Sequence, residues 1–140
     1  MAPPRVLVAD DDRDFLDSVV RVTEYAGLEV VRATSGDELL EGLADHGPFE
    51  LVITDVAMPW MTGLHVMLSA RHAGWTTPVI VMSGLCDEQT VRGVIALGDE
   101  VSFLRKPFRP RDLYAALARS LRTGVEPRAA RRATWPVGEP

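Results

Sequence analysis

The chain has 140 residues, 46% of them hydrophobic and 25% charged, which suits one ordinary globular domain with a real core. Its net charge of −5 gives no general attraction to nucleic acid, and no apolar run approaches the roughly 18 residues that span a bilayer. The N-terminal MAPPRVLVADDD lacks signal-peptide architecture, and a lone cysteine, Cys86, leaves no internal disulfide, so a cytoplasmic location is expected.

In chain order, Arg5 to Ala9 is a short β-branched run that ends in Asp10, Asp11 and Asp12. Phe15, Leu16, Val19, Val20 and Thr23 then recur at helical spacing, with Gly27 placed to stop the helix. Leu28 to Ala33 reads as a second strand. Ser35 and Glu38 form a capping-box pattern, and Leu39, Leu40 and Leu43 give the buried stripe of a second helix. The third strand is Leu51 to Thr54, with Asp55 at its C-terminal end. A run this apolar suits a strand covered on both faces, as in a parallel sheet. A third helix runs from about Leu64 to Ala73 and stops at Gly74. Pro78 to Met82 is the fourth strand, followed by Ser83-Gly84. Val91, Val94 and Ile95 mark a fourth helix ending near Gly98. Val101 to Arg105 is the fifth strand, followed by Lys106-Pro107. The last helix begins near Pro110, with Leu113, Ala116, Leu117 and Leu121 on one face. Residues 123–140 have no apolar periodicity and are expected to form a flexible tail.

Five strand–helix alternations predict an α/β fold: a doubly wound, five-stranded parallel sheet with helices on both faces. All strands then end at one edge, where such sheets place their chemistry. That edge collects Asp10, Asp11, Asp55, Ser83 and Lys106, the only lysine beside fourteen arginines. Clustered carboxylates repel one another unless a cation joins them. An oxygen-only donor set selects a hard ion, Mg²⁺ first and Mn²⁺ as the alternative. A hydroxyl and an ammonium suit a phosphoryl group, whose transfer depends on positioning and charge neutralisation. A carboxylate can itself be the nucleophile, and Asp55, on the central strand, is the best placed.

The segments VLVADDD, LVITDVAMPWMTG, VIVMSG and FLRKPF resemble the motifs of the response-regulator (CheY-like) receiver domain of two-component signalling, over residues 5–122. The resemblance implies a flavodoxin-like (βα)5 fold with strand order 2-1-3-4-5. It implies that Asp55 accepts a phosphoryl group from a histidine kinase or histidine phosphotransfer protein. Asp11, Asp55 and the backbone carbonyl of Ala57 would bind the metal, with Asp10 acting largely through water. Ser83 and Lys106 would bind phosphoryl oxygens. Phe103 matches the family's aromatic switch, which with Ser83 remodels the helix 4–strand 5–helix 5 face. That face controls partner binding and pairs many family members as homodimers. The domain would turn over no substrate besides its own phosphoryl group. The Lys106-Pro107 bond matches one that is often cis in the family. Ala57 and Leu85 offer no acid or amide to orient water, which predicts a long-lived phosphoryl group.

Other features have plainer readings. Cys86 reads as a packing residue, Trp60, in the loop after Asp55, as a surface residue partly covering that loop, and Arg128, Arg131 and Arg132 as part of a solvated tail. Three rival functions use the same residues. A haloacid-dehalogenase-type phosphatase would use Asp10 and Asp12 as a DxD pair but leaves Asp55 without a role. A flavin-mononucleotide binder needs Ser, Thr and Gly after strand one, where this chain has aspartates. A phosphate-independent receiver would not need the full set of acids, hydroxyl and lysine.

Overall fold

A computed structural model describes residues 2–59, 61–84 and 87–121. The expectations for Trp60, Leu85, Cys86 and residues 123–140 lie outside the described residues. The elements alternate: β1 (Arg5–Ala9), α1 (Arg13–Tyr25), β2 (Glu29–Ala33), α2 (Gly36–Asp45), β3 (Leu51–Asp55), α3 (Gly63–His72), β4 (Val79–Ser83), α4 (Glu88–Ala96), β5 (Val101–Arg105) and α5 (Pro110–Ser120). The five strands are parallel in the order β2-β1-β3-β4-β5. The expected architecture is therefore present, strand order included.

Alternating side chains divide the core between the two faces of the sheet. Val6, Val8, Ile53, Ile80 and Met82 meet Leu16, Val19, Leu113 and Leu117 from α1 and α5. Leu7, Val52, Val79 and Val81 meet Leu39, Leu43, Val66 and Met67 from α2 and α3. Burying each such side chain contributes roughly 1.5–3 kcal/mol, and β3 and β4 bury all five of their residues. Gly27, Gly74 and Gly98 follow helix ends with φ of 95°, 96° and 95°, the left-handed conformation that favours glycine.

Three local readings differ from expectation. The predicted stripe of α4 holds only at Val94: Val91 and Ile95 are exposed, at 42% and 70%. Its inward face carries buried Thr90, with Gly93 against Leu64 and Val94 against the core. A side chain at 93 would strike Leu64, so the helix turns Thr90, Gly93 and Val94 inward and leaves Val91 and Ile95 outward. On α2, Leu40 is exposed, because the helix rests on Leu7 through Gly42 and buries Leu39 and Leu43. The capping box at Ser35 is half formed. Ser35 Oγ accepts from the Glu38 N–H at 3.1 Å, but the Glu38 carboxylate accepts from Thr34 N–H and Oγ instead.

Candidate functional site

Four of the strands, β1, β3, β4 and β5, deliver site residues to one C-terminal edge because all five run the same way. Asp10 follows β1, and its N–H donates to the Ala33 carbonyl at 3.1 Å, which ties it to β2. Asp55 and Ser83 are the last residues of β3 and β4, one position further than the sequence pattern ended those strands. Lys106 follows β5, and its N–H donates to the Ser83 carbonyl at 2.8 Å. Asp10, Asp55 and Ser83 are buried and Asp11 is exposed.

The β3–α3 loop must turn sharply for Asp55 to sit here. The Gly63 N–H donates to the Val56 carbonyl at 3.2 Å, and a Cβ on Gly63 would strike the Asp55 carbonyl and Thr54 Oγ1. Gly36, at the start of α2, admits the Met61 carbonyl in the same way. These close approaches fix the loop beside Asp55. Ala57 lies in it, exposed, two residues after Asp55.

The carboxylates of Asp10, Asp11 and Asp55 converge, each offering an oxygen within 4.8 Å of the others. Lys106 Nζ bridges two of them, 2.8 Å from Asp10 Oδ2 and 3.2 Å from Asp55 Oδ1. Burial and then the Asp10 charge push the Asp55 carboxyl up to about 6, against the pull of Lys106. Burial works against the charged form of Lys106. Its hydrogen bond to Asp10 and the charges of Asp55 and Asp10 outweigh that, and its pKa is raised. Two buried acids therefore share the Lys106 ammonium, with exposed Asp11 beside them. That donor set fits a hard divalent cation, since it is oxygen-only, convergent and short of positive charge. The same pocket can take an anionic group once such a cation balances the carboxylates.

Asp12 is not part of the cluster. Its carboxylate caps α1, accepting from the N–H groups of Asp14 at 3.1 Å and Phe15 at 3.2 Å. This occupies the second acid of the DxD pair that the phosphatase reading requires. Phe103 is partly buried and pairs in register with Val81. Val79 and Val81 face α2 and α3, so alternation places Ser83 on the same side of the sheet as Phe103. The Lys106-Pro107 bond is cis, as is Gly47-Pro48.

Two neighbours of the site were not expected. The Phe15 ring lies under Lys106 Nζ, 4.2 Å from its centroid, and packs edge-on against Phe108 at 5.4 Å. Periodicity had placed Phe15 only on the apolar stripe of α1. Nothing in spacing separates a core aromatic from one that faces a cation.

Comparison with known proteins agrees with this geometry. The family model for the response regulator receiver domain matches residues 6–118. The response regulator MprA of Mycobacterium sp. (strain KMS) is 35% identical over 121 residues, which are 86% of this chain and 51% of MprA. The chain thus spans about half the length of the curated relatives it matches. Among solved structures, a CheY-like receiver domain protein from Methanospirillum hungatei JF-1 is 27% identical with a TM-score of 0.78, covering 85% of this chain and 94% of that one. The chemotaxis protein CheY4 of Vibrio cholerae is 31% identical with a TM-score of 0.76, covering 86% and 100%. Sequence motifs, strand order and the acidic edge converge, and the chain belongs to the response regulator receiver domain family of two-component signalling.

Proposed function

We propose that this receiver accepts a phosphoryl group on Asp55, in a reaction that needs a divalent cation, and passes the change to the α4–β5–α5 face. The observation that carries the reading is the convergence of Asp10, Asp11 and Asp55 within 4.8 Å, with Lys106 bridging Asp10 and Asp55. Asp11, Asp55 and the Ala57 carbonyl are the ligands proposed for Mg²⁺ or Mn²⁺, with Asp10 acting through water. Bound there, the cation would neutralise the acids and the incoming phosphoryl oxygens.

The chain's own residues carry the rest. An Asp55 carboxylate oxygen attacks phosphorus as the bond to the donor breaks, at nitrogen for a phosphohistidine or at oxygen for acetyl phosphate. The leaving group departs with the bonding electrons, and an imidazole takes its proton from solvent. Lys106 offers its ammonium to a phosphoryl oxygen in place of the Asp55 oxygen it now holds. Ser83 Oγ donates to another. Ser83 and Phe103 share one side of the sheet, which supports a coupled movement of hydroxyl and ring. Exposed Val91 and Ile95 on α4 give the responding face an apolar surface for a partner or a second copy. The donor is a histidine kinase or histidine phosphotransfer protein. The only chemistry performed is gain and loss of the domain's own phosphoryl group. The setting is cytoplasmic; no helix among the described residues is long and apolar enough to cross a membrane.

The test is the intact-protein mass after incubation with acetyl phosphate, with Mg²⁺ or with chelator. The expected result is one adduct of ~80 Da, the mass of a phosphoryl group on a carboxylate, that requires Mg²⁺ and is absent from Asp55→Asn. No adduct in the wild type, with Mg²⁺ binding confirmed, would overturn the reading.

A further inference from the structure

We infer that Phe15 is a positioning residue for phosphoryl transfer: the face of its ring holds the Lys106 ammonium at the acceptor edge when the carboxylates turn to a metal ion. The inference rests on the phosphoacceptor reading of Asp55.

Among the described residues the Lys106 ammonium has three partners. Two are carboxylate oxygens, at 2.8 and 3.2 Å, and the third is the Phe15 ring, 4.2 Å from its centroid. The lysine stem is long and flexible, so its ammonium stays only where partners hold it. A divalent cation bound by Asp11 and Asp55, with Asp10 beside it, draws on the same carboxylate charge and repels the ammonium. The ring is the one partner that such a cation does not recruit. Its negative face continues to attract the ammonium, and Lys106 stays beside the position where phosphoryl oxygens arrive.

The ring is itself held in place. Phe108, two residues after Lys106, meets it edge-on at 83°. α1 and the β5–α5 connection are therefore joined through an aromatic pair that also carries the lysine. Phe15 is only partly buried. With Phe108 it lines a cleft of about 250 Å³ between α1 and α5, together with Ser18, Val22 and Pro110. A change of side chain there leaves the buried core of α1, Leu16, Val19 and Val20, in place.

Lys106 is the chain's only lysine, so lysine labelled with ¹³C at Cε gives a single side-chain signal. The experiment compares wild type, Phe15→Tyr, Phe15→Leu and protein carrying fluorinated phenylalanine at position 15. Fluorination keeps the ring's shape while withdrawing its negative face. In metal-free wild type the Lys106 ε-protons are expected upfield of those of an exposed lysine, through the ring current. They should stay upfield when Mg²⁺ is added. Phe15→Tyr should keep this displacement and Phe15→Leu should lose it. With acetyl phosphate at saturating Mg²⁺, labelling of Phe15→Leu and of the fluorinated protein should slow roughly fivefold, the scale of a cation–ring attraction. Phe15→Tyr should stay within about twofold of wild type, and Mg²⁺ affinity should be unchanged in all of them. An undisplaced lysine signal in wild type overturns the inference. So does labelling at the wild-type rate in the fluorinated protein, whose near-native shape makes it decisive even where Phe15→Leu folds poorly. A wild type that takes up no phosphoryl group overturns the Asp55 reading itself, before any Phe15 variant is compared, and the positioning role with it.

Discussion

The middle of the sheet and its β5 edge are built differently. β3 buries all five of its residues, whereas β5 buries only Leu104. α1 and α5 each bury four residues, and α4 buries only Thr90. The acids stand on the well-packed part, at the ends of β1 and β3. Phe103 belongs to the sparsely packed strand, and Lys106 follows it directly. Apolar burial resists local opening, so one part can hold carboxylates against their mutual repulsion while the other reshapes at small cost.

Four substitutions sharpen or break this contrast. The largest effect belongs to the centre: Ile53→Ala empties a fully buried position on β3 and should cost about 4 kcal/mol in urea unfolding. A cost below about 1 kcal/mol would mean that the centre is not the rigid part.

Next comes the join between the two regions. Arg71 on α3 donates to the carbonyls of Leu97 at 2.9 Å, Trp75 at 3.2 Å and Glu100 at 3.3 Å. It thereby ties α3 to the end of α4 and the start of β5. Arg71→Ala should cost about 2 kcal/mol and raise amide exchange in α4 far more than in β1.

Asp55→Asn acts in the opposite direction. The Asp55 carboxyl is raised to about 6, above its unfolded value of about 3.9. The folded state therefore binds more protons than the unfolded state between these values, and stability from this group falls as pH rises through them. Without metal, Asp55→Asn should be more stable than wild type by roughly 1–2 kcal/mol above about pH 7, with the difference gone below about pH 4. Mg²⁺ at ten times its dissociation constant should return about 1.4 kcal/mol to the wild type and much less to the variant. Equal stability at all pH values would show that the acids are not in conflict.

The smallest effect belongs to the face proposed to respond. Ile95→Ala, on a side chain 70% exposed, should change stability by less than about 0.5 kcal/mol while weakening whatever binds the phosphorylated surface. A loss of several kcal/mol would place Ile95 in a core.

The same contrast governs what the sequence made legible. Strands β1, β3 and β4 announce themselves as short β-branched runs, β5 as a short run around Phe103 and Leu104, and the ends of α1, α3 and α4 by Gly27, Gly74 and Gly98. The topology then brings Asp10, Asp55, Ser83 and Lys106 to one edge with no further information. α4 misled because periodicity marks the most apolar face, and here close approach to Leu64 selects the face of Thr90 and Gly93 instead. Leu40 misled in the same way, with Gly42 as the contact. Asp12 stayed open to the DxD role of the phosphatase reading because adjacency in sequence does not reveal that its carboxylate turns back to cap α1. The Phe15–Lys106 contact joins residues 91 positions apart, 106 less 15, and only the packing of α1 beside the β5–α5 connection creates it.

The division of labour is tested most directly by amide exchange on the Mg²⁺-bound protein with beryllofluoride, which stands in for the phosphoryl group proposed on Asp55. Exchange should change in α4 (Glu88–Ala96) and β5 (Val101–Arg105) while β1 and the buried part of β3 keep their rates, and Asp55→Asn should show no change anywhere. Unchanged exchange in α4 and β5, or changes just as large in β1 and β3, would contradict the separation of a rigid acceptor site from a responsive face.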